Sequence, residues 1–256
     1  MKLALYQALP TDGDIAGAFD RLTQALRAAA AAGARMLVAP ELYLPGYNRP
    51  ELHARDAEPI GGAWLARLAE MAAAEGCGLT LGWAERAEGR VWNSAVALSP
   101  EGRLLAHYRK IQLYGEMEKT SFVPGEAPPP VFDFDGRRCG LLICYDIEFP
   151  GHAAALAARG VDLILVPTAN PAGAEHVQNV LVPARAHENR QIIAYANYCG
   201  VERGLAFSGL SVIAGPDARP VAMAGTREAL LIVDLPHLAD HRPDQIARLS
   251  EDYRAI

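Results

Sequence analysis

Short apolar runs with β-rich composition alternate with longer stretches in which apolar positions recur every three or four residues, a rhythm that predicts strands and helices in turn. The order is KLALYQA, a helix, RMLVAPE, a helix, GLTLGWAE, then after a meander CGLLIC, a helix, VDLILVPTA, a helix and QIIAYANY. The first helix is the clearest, since Ile15, Phe19, Leu22, Leu26 and Ala29 share one face and Gly33 offers a C-terminal stop. Two segments read as hairpins, SAVALSPEGRLLAHYRK around Pro-Glu-Gly and GLSVIAGPDARPVAMAG around Gly-Pro-Asp, so antiparallel strands join the sheets. The expected fold is α/β: a four-layer α-β-β-α sandwich of two mixed β-sheets, each covered by helices on its outer face.

No linker divides the chain, and a single domain over residues 1–256 is expected. The Pro-rich PGEAPPPVFDFDG is too short to separate domains, and AAAAAGA and AAALAARG read as helix surface. Half of the residues are apolar, ample for a core, and the net charge of −6 comes with Lys and Arg spread along the chain. That balance disfavours nucleic acid and anionic membranes as partners. No window reaches the roughly 20 apolar residues of a membrane span. Cys77, Cys139, Cys144 and Cys199 form no CxxC pair and have no His at zinc-ligand spacing, so the expectation is a reducing, cytoplasmic setting without metal.

LLICYDIEFP is an apolar run that ends in a cysteine. A strand CGLLIC followed by a helix FPGHAAALAARG places Cys144 on a sharp turn, where backbone N–H groups just after it, Tyr145 N–H first, can face a developing oxyanion. A buried thiol is by default inert packing. Two other strand ends carry charge: Glu41 after MLVAP and Lys110 in HYRKIQLYG. A carboxylate against an apolar wall is poised to accept a thiol proton, and an ammonium can hold a thiolate or oxyanion. Taken singly, each also fits a surface charge.

The phrases APELYLPGY, YRKIQLYGEMEKTSFVPG and LLICYDIEFP, followed by VPTAN, VPARAHENRQIIAYANYCG and SGLSVIAGPDARPVAMAG, together resemble the signature of the nitrilase or carbon–nitrogen hydrolase superfamily over essentially the whole chain. The resemblance implies catalytic Glu41, Lys110 and Cys144, with a second glutamate eight positions after the lysine, which is Glu118; Glu116 is the nearer rival. Gly151 departs from the acid that relatives carry after the Phe-Pro step. Within the family the chain is most similar to small aliphatic amidases, of the type that includes 5-aminovaleramide amidase and the R-stereoselective amidases. A primary ω-amino or amino-acid amide is the implied substrate class, cleaved through a Cys144 thioester without a cofactor. N-carbamoyl amines, then nitriles, are the alternatives that the same residues would serve.

Tyr47, Asn48, Tyr114 and Asn170 lie in loops beside these phrases and are candidate pocket residues, each equally suited to a structural turn. A Cys–His scheme would draw on His107, His152, His176 or His187. A silent binding protein on the same scaffold would be favoured only if Glu41, Lys110 or Cys144 were missing. The resemblance further implies a homodimer built on the RAHENRQ helix and the helix after Cys144, with the segment from Leu235 onward crossing to the partner.

Overall fold

The computed structural model describes residues 1–252 and 254. Its first five strands, β1 (Lys2–Gln7), β2 (Met36–Val38), β3 (Gly78–Ala87), β4 (Arg90–Leu98) and β5 (Leu104–Arg109), build one sheet. The second sheet takes β6 (Val131–Phe134), β7 (Arg137–Leu141), β8 (Leu163–Pro167) and β9 (Ile192–Ala196). A separate hairpin, β10 (Cys199–Glu202) and β11 (Leu205–Ser208), precedes β12 (Val212–Ala214) and β13 (Pro220–Met223), which complete the second sheet. The chain then returns to the first sheet as β14 (Ala229–Asp234), giving the orders β14-β1-β2-β3-β4-β5 and β13-β12-β9-β8-β7-β6. Both are mixed: β1, β2 and β3 run parallel, as do β7, β8 and β9, with antiparallel neighbours outside them.

Pleating explains the layers. Successive side chains of a strand face opposite ways, so Leu3 and Leu5 of β1 join Met36 and Val38 of β2 in the core that includes the second sheet, while Ala4, Tyr6 and Leu37 face outward. Against that outer face lie α1 (Ile15–Ala31) and, after the short α2 (Pro50–Asp56), α3 (Ala63–Glu75), which contribute Phe19, Leu22, Leu26, Leu65, Leu68 and Met71. Each such buried side chain contributes about 1.5–3 kcal/mol. Asp14 caps α1 by accepting the Gly17 N–H at 2.9 Å, and Gly33 takes φ +83° just past its end, as the pattern predicted. After α4 (Gly115–Ser121), the second sheet is covered by α5 (Pro150–Ala157) and α6 (Val182–Asn189), with Leu156 seated over the bare Gly140 of β7. The fold is the α-β-β-α sandwich expected.

Four elements differ from the pattern reading. β7 stops at Leu141, three residues before the cysteine, because the Asp146 carboxylate takes the Ile143 N–H at 3.1 Å and turns the chain out of the ladder. The hairpin β10–β11, the edge strand β14 and the helix α4 did not stand out; α4 buries only Glu118 and so has no apolar stripe to read. The described part of the C-terminal segment folds back on its own chain, where Arg190 donates to the Ala247 carbonyl and pairs with Glu251 at 2.8 Å. The end of that segment, Tyr253, Ala255 and Ile256, lies outside the described residues.

One rim of the sandwich collects the chemistry. β5 is antiparallel to β4, which is antiparallel to β3, so β5 runs with β2 and both end at the same edge. β8 ends there too, since the Glu41 N–H donates to the Thr168 carbonyl at 3.3 Å. Carboxyl ends of parallel strands are where open α/β sheets place ligands.

Candidate active site

Glu41, Lys110 and Glu118 form one buried cluster with no exposed side-chain surface. Lys110 Nζ lies 2.6 Å from Glu41 Oε1 and 2.8 Å from each oxygen of Glu118. Asn93 Nδ2, from the middle of β4, donates to Glu41 Oε1 at 2.7 Å and leaves Glu41 Oε2 buried without a partner. Glu118 is fixed by the Tyr47 hydroxyl at 2.7 Å and by the Tyr114 N–H at 3.0 Å. Placing two carboxylates around one ammonium without water is costly unless the hydrogen bonds are complete. Here every oxygen but one is matched.

These contacts set the protonation states. Burial pushes Glu41 up, the Lys110 charge opposes it and Glu118 adds to it, leaving Glu41 at about 7. Burial alone would lower Lys110, but Glu118 and Glu41 outweigh it and keep the ammonium charged well above the usual range. The Cys144 thiol is pushed far up by burial first and by the Glu41 charge second, with Lys110 pulling the other way. At neutral pH the resting site therefore holds a thiol next to a carboxyl group that titrates near 7.

Cys144 opens a tight turn over Cys144–Glu148 and takes φ +45°, a conformation that costs a non-glycine residue about 1–3 kcal/mol. Asp146 holds that turn. Its carboxylate accepts from Ile143 N–H, from the Tyr108 hydroxyl at 3.0 Å and from the Gln112 N–H at 2.9 Å, tying the cysteine turn to the strand and loop that carry Lys110. A cavity of about 230 Å³ opens over the sulfur, lined by Cys144, Tyr145, Tyr114, Glu148, Asn170 and His176 among others. It is smaller than the roughly 300–1,000 Å³ of drug-sized sites, so it suits a small molecule.

The placement of the remaining candidates is mixed. Tyr114 and Asn170 line the cavity, although the Asn170 amide is held by Ala174 O and Gln178 Oε1. Tyr47 is buried behind Glu118, not on the cavity wall. Asn48 is not a wall residue: its side chain bridges to the Glu202 and Arg203 carbonyls of the β10–β11 hairpin, because its loop turns away from the sulfur. Glu116 is exposed, whereas Glu118 is buried against Lys110. Among the described residues no imidazole hydrogen-bonds Cys144: His107 pairs with Glu85 at 2.7 Å, His187 with Pro216 O at 2.9 Å, and His152 faces Gln112, leaving His176 on the cavity wall. Sequence reading missed Asn93, the tying role of Asp146 and Glu148 as a wall residue. A polar Asn93–Ser94 step inside a mostly apolar strand was the available signal for the first.

The carbon–nitrogen hydrolase family profile matches residues 2–240. The chain belongs to the carbon–nitrogen hydrolase family. A protein of Pseudomonas protegens described as a hydrolase in the pqqF 5'region is 40% identical over 98% of this chain and 92% of its own length. An (R)-stereoselective amidase from a Pseudomonas species is 35% identical over 99% of this chain and 89% of its own. An amidase from Nesterenkonia sp. superposes with TM-score 0.89 at 40% identity, covering 95% of this chain and 97% of that one, in a Glu-to-Gln mutant that shows Michael addition of acrylamide at its active-site cysteine. These relatives of a carbon–nitrogen hydrolase are of the kind that the motifs implied, amidases included. No metal-binding cluster of His, Cys, Asp or Glu occurs among the described residues, and no described helix is long and apolar enough to cross a membrane.

Proposed function

We propose that this carbon–nitrogen hydrolase cleaves a small aliphatic primary amide carrying a cationic group, an ω-amino or amino-acid amide, to the carboxylate and ammonia. The observation that carries the reading is the single buried cluster in which Lys110 bridges Glu41 and Glu118 beside the strained Cys144 turn. Because the resting thiol is strongly protonated, its proton moves to Glu41 as the sulfur–carbon bond forms, so no free thiolate has to accumulate. Glu41 Oε2, the unpaired oxygen, is the acceptor. The Tyr145 N–H donates to the tetrahedral oxyanion, the Lys110 charge stabilises it electrostatically, and Glu118 keeps Lys110 in place. Glu41 next protonates the departing nitrogen, ammonia leaves, and a water deprotonated by Glu41 attacks the thioester. Collapse returns the proton to sulfur and frees the carboxylate.

The requirement for ionised Glu41 fixes the pH dependence. Protonated Glu41 cannot accept the thiol proton, so kcat/KM falls as pH drops through about 7, the value to which burial raises this group. The titration belongs to the Glu41–Lys110–Glu118 cluster as a whole. Ammonia release from pH 5 to 9 measures it; a flat profile across that range would contradict the assignment of Glu41 as base.

Glu148 supports the cationic substrate. Its half-buried carboxylate lines the cavity with Cys144 and makes no hydrogen bond among the described residues. A charge-assisted hydrogen bond to a substrate ammonium would satisfy it. Glu148→Gln is expected to lower kcat/KM for an ω-amino amide about tenfold, or about 1.4 kcal/mol, while a neutral amide of equal length changes little. A panel of amides, N-carbamoyl amines and nitriles read by ammonia release tests the class. Equal losses for charged and neutral amides would remove Glu148 from recognition, and turnover confined to N-carbamoyl amines would replace the amide reading.

A further inference from the structure

Two hydroxyls behind the sulfur are unexplained by the reaction as described. Thr168 and Tyr195 are both fully buried, and neither Oγ1 of Thr168 nor the phenol oxygen of Tyr195 has a hydrogen-bond partner. Strand register brings them together. The Leu142 N–H donates to the Leu165 carbonyl, so the chain leaving β7 stays beside β8 and delivers Cys144 alongside Thr168. Val166 is opposite Tyr195, and the Thr168 N–H continues that ladder to the Ala196 carbonyl at 2.9 Å. Alternation along β8 then puts the side chains of Val166, Thr168 and Tyr195 on one face. That register sets Thr168 between the Cys144 turn and Tyr195.

The sulfur needs such donors. The three ammonium protons of Lys110 face three carboxylate oxygens, and Cys144 Sγ accepts no hydrogen bond among the described residues. The charged groups facing the sulfur are Glu41, Lys110 and Glu118, two of them repelling a thiolate; Tyr195 faces Cys144, Glu148 and Glu41. We propose that Tyr195 and Thr168 act as positioning residues: as negative charge develops on the Cys144 sulfur, the Thr168 O–H turns to donate to it and the Tyr195 O–H turns to donate to Thr168 Oγ1, bonds that the resting site does not make. No proton is transferred along the pair; the thiol proton still passes to Glu41. The inference rests on Cys144 as the nucleophile.

The test reads the thiol directly. The rate of iodoacetamide alkylation at the Cys144 peptide, followed by mass spectrometry across pH, is compared for wild type, Thr168→Val, Thr168→Ser and Tyr195→Phe, with melting temperatures alongside. Thr168→Val is expected to move the alkylation profile about one unit toward higher pH and to lower kcat about tenfold with KM held within about twofold, while Thr168→Ser restores both. Tyr195→Phe is expected to shift the profile in the same direction by less and to leave the melting temperature unchanged or raised, because it removes a buried unpaired oxygen. A folded Thr168→Val or Tyr195→Phe whose profile superimposes on wild type would overturn the proposal, as would Thr168→Ser behaving like Val. A lowered melting temperature in Tyr195→Phe with an unchanged profile would assign a structural role instead. Should Thr168→Val fail to fold, Tyr195→Phe decides. Alkylation needs no amide turnover, so an error in the proposed substrate leaves these outcomes readable.

Discussion

Cys144→Ala is expected to lower amide hydrolysis by about 10⁴–10⁶-fold while leaving the fold intact, since the reaction routes every bond change through one sulfur. The residual rate would come from binding, from the Tyr145 N–H and from the Lys110 charge, which remain in place. Stability should move little. The side chain is buried but small, and the turn it starts is held by Asp146 through contacts with Ile143, Tyr108 and Gln112 that do not involve sulfur. Ammonia release together with a circular dichroism melt checks both halves. A folded variant retaining even about one per cent of activity would contradict nucleophilic catalysis at this position.

Lys110→Met carries the second large effect, and it acts on stability as well as rate. It removes the shared cation from Glu41 and Glu118, and breaking a buried pair by deleting one partner costs about 3–5 kcal/mol. The loss depends on pH in a direction that can be worked out. Glu41 is already raised to about 7 with Lys110 present, and without the ammonium it rises further. A carboxylate raised in the folded state binds more protons folded than unfolded, so folding stability falls as pH climbs above its unfolded value near 4.5. The melting temperature of Lys110→Met should therefore lie furthest below wild type at pH 8 and recover toward pH 5. Activity should fall by about 10³-fold or more through loss of the positive charge beside the oxyanion and disorder of Glu41. A variant that melts like wild type at pH 8 would show that the three charges do not depend on one another.

Much of this arrangement was legible in the sequence, for reasons that differ by residue. Continuous apolar runs such as KLALYQ, buried on both faces, and the 3.6-period face of Ile15, Phe19 and Leu22 report burial locally, so β1 and α1 stood out. Glu41, Lys110 and Cys144 stood out because charge or sulfur at the end of an apolar strand is conspicuous, and because the phrases around them resemble a known family. What was hidden depends on distance along the chain. Asn93 gains its meaning from Glu41, 52 residues away, and α4 from the contact of Glu118 with Lys110. The end of β7 at Leu141 follows from one side-chain bond, Asp146 to Ile143 N–H, that no periodicity records. Asn48 shows the converse: closeness to a site phrase in sequence says nothing of which way a side chain points. Thr168 and Tyr195 meet only through strand register, invisible until the sheet is assembled.

The account is tested most directly by rapid-quench intact mass spectrometry of wild type and Glu41→Gln mixed with an ω-amino amide. A covalent adduct of the amide's mass less ammonia, mapped to the Cys144 peptide in wild type and formed far more slowly in Glu41→Gln, is the predicted result. Ammonia released at full rate with no adduct at any time, or an adduct on another residue, would contradict it.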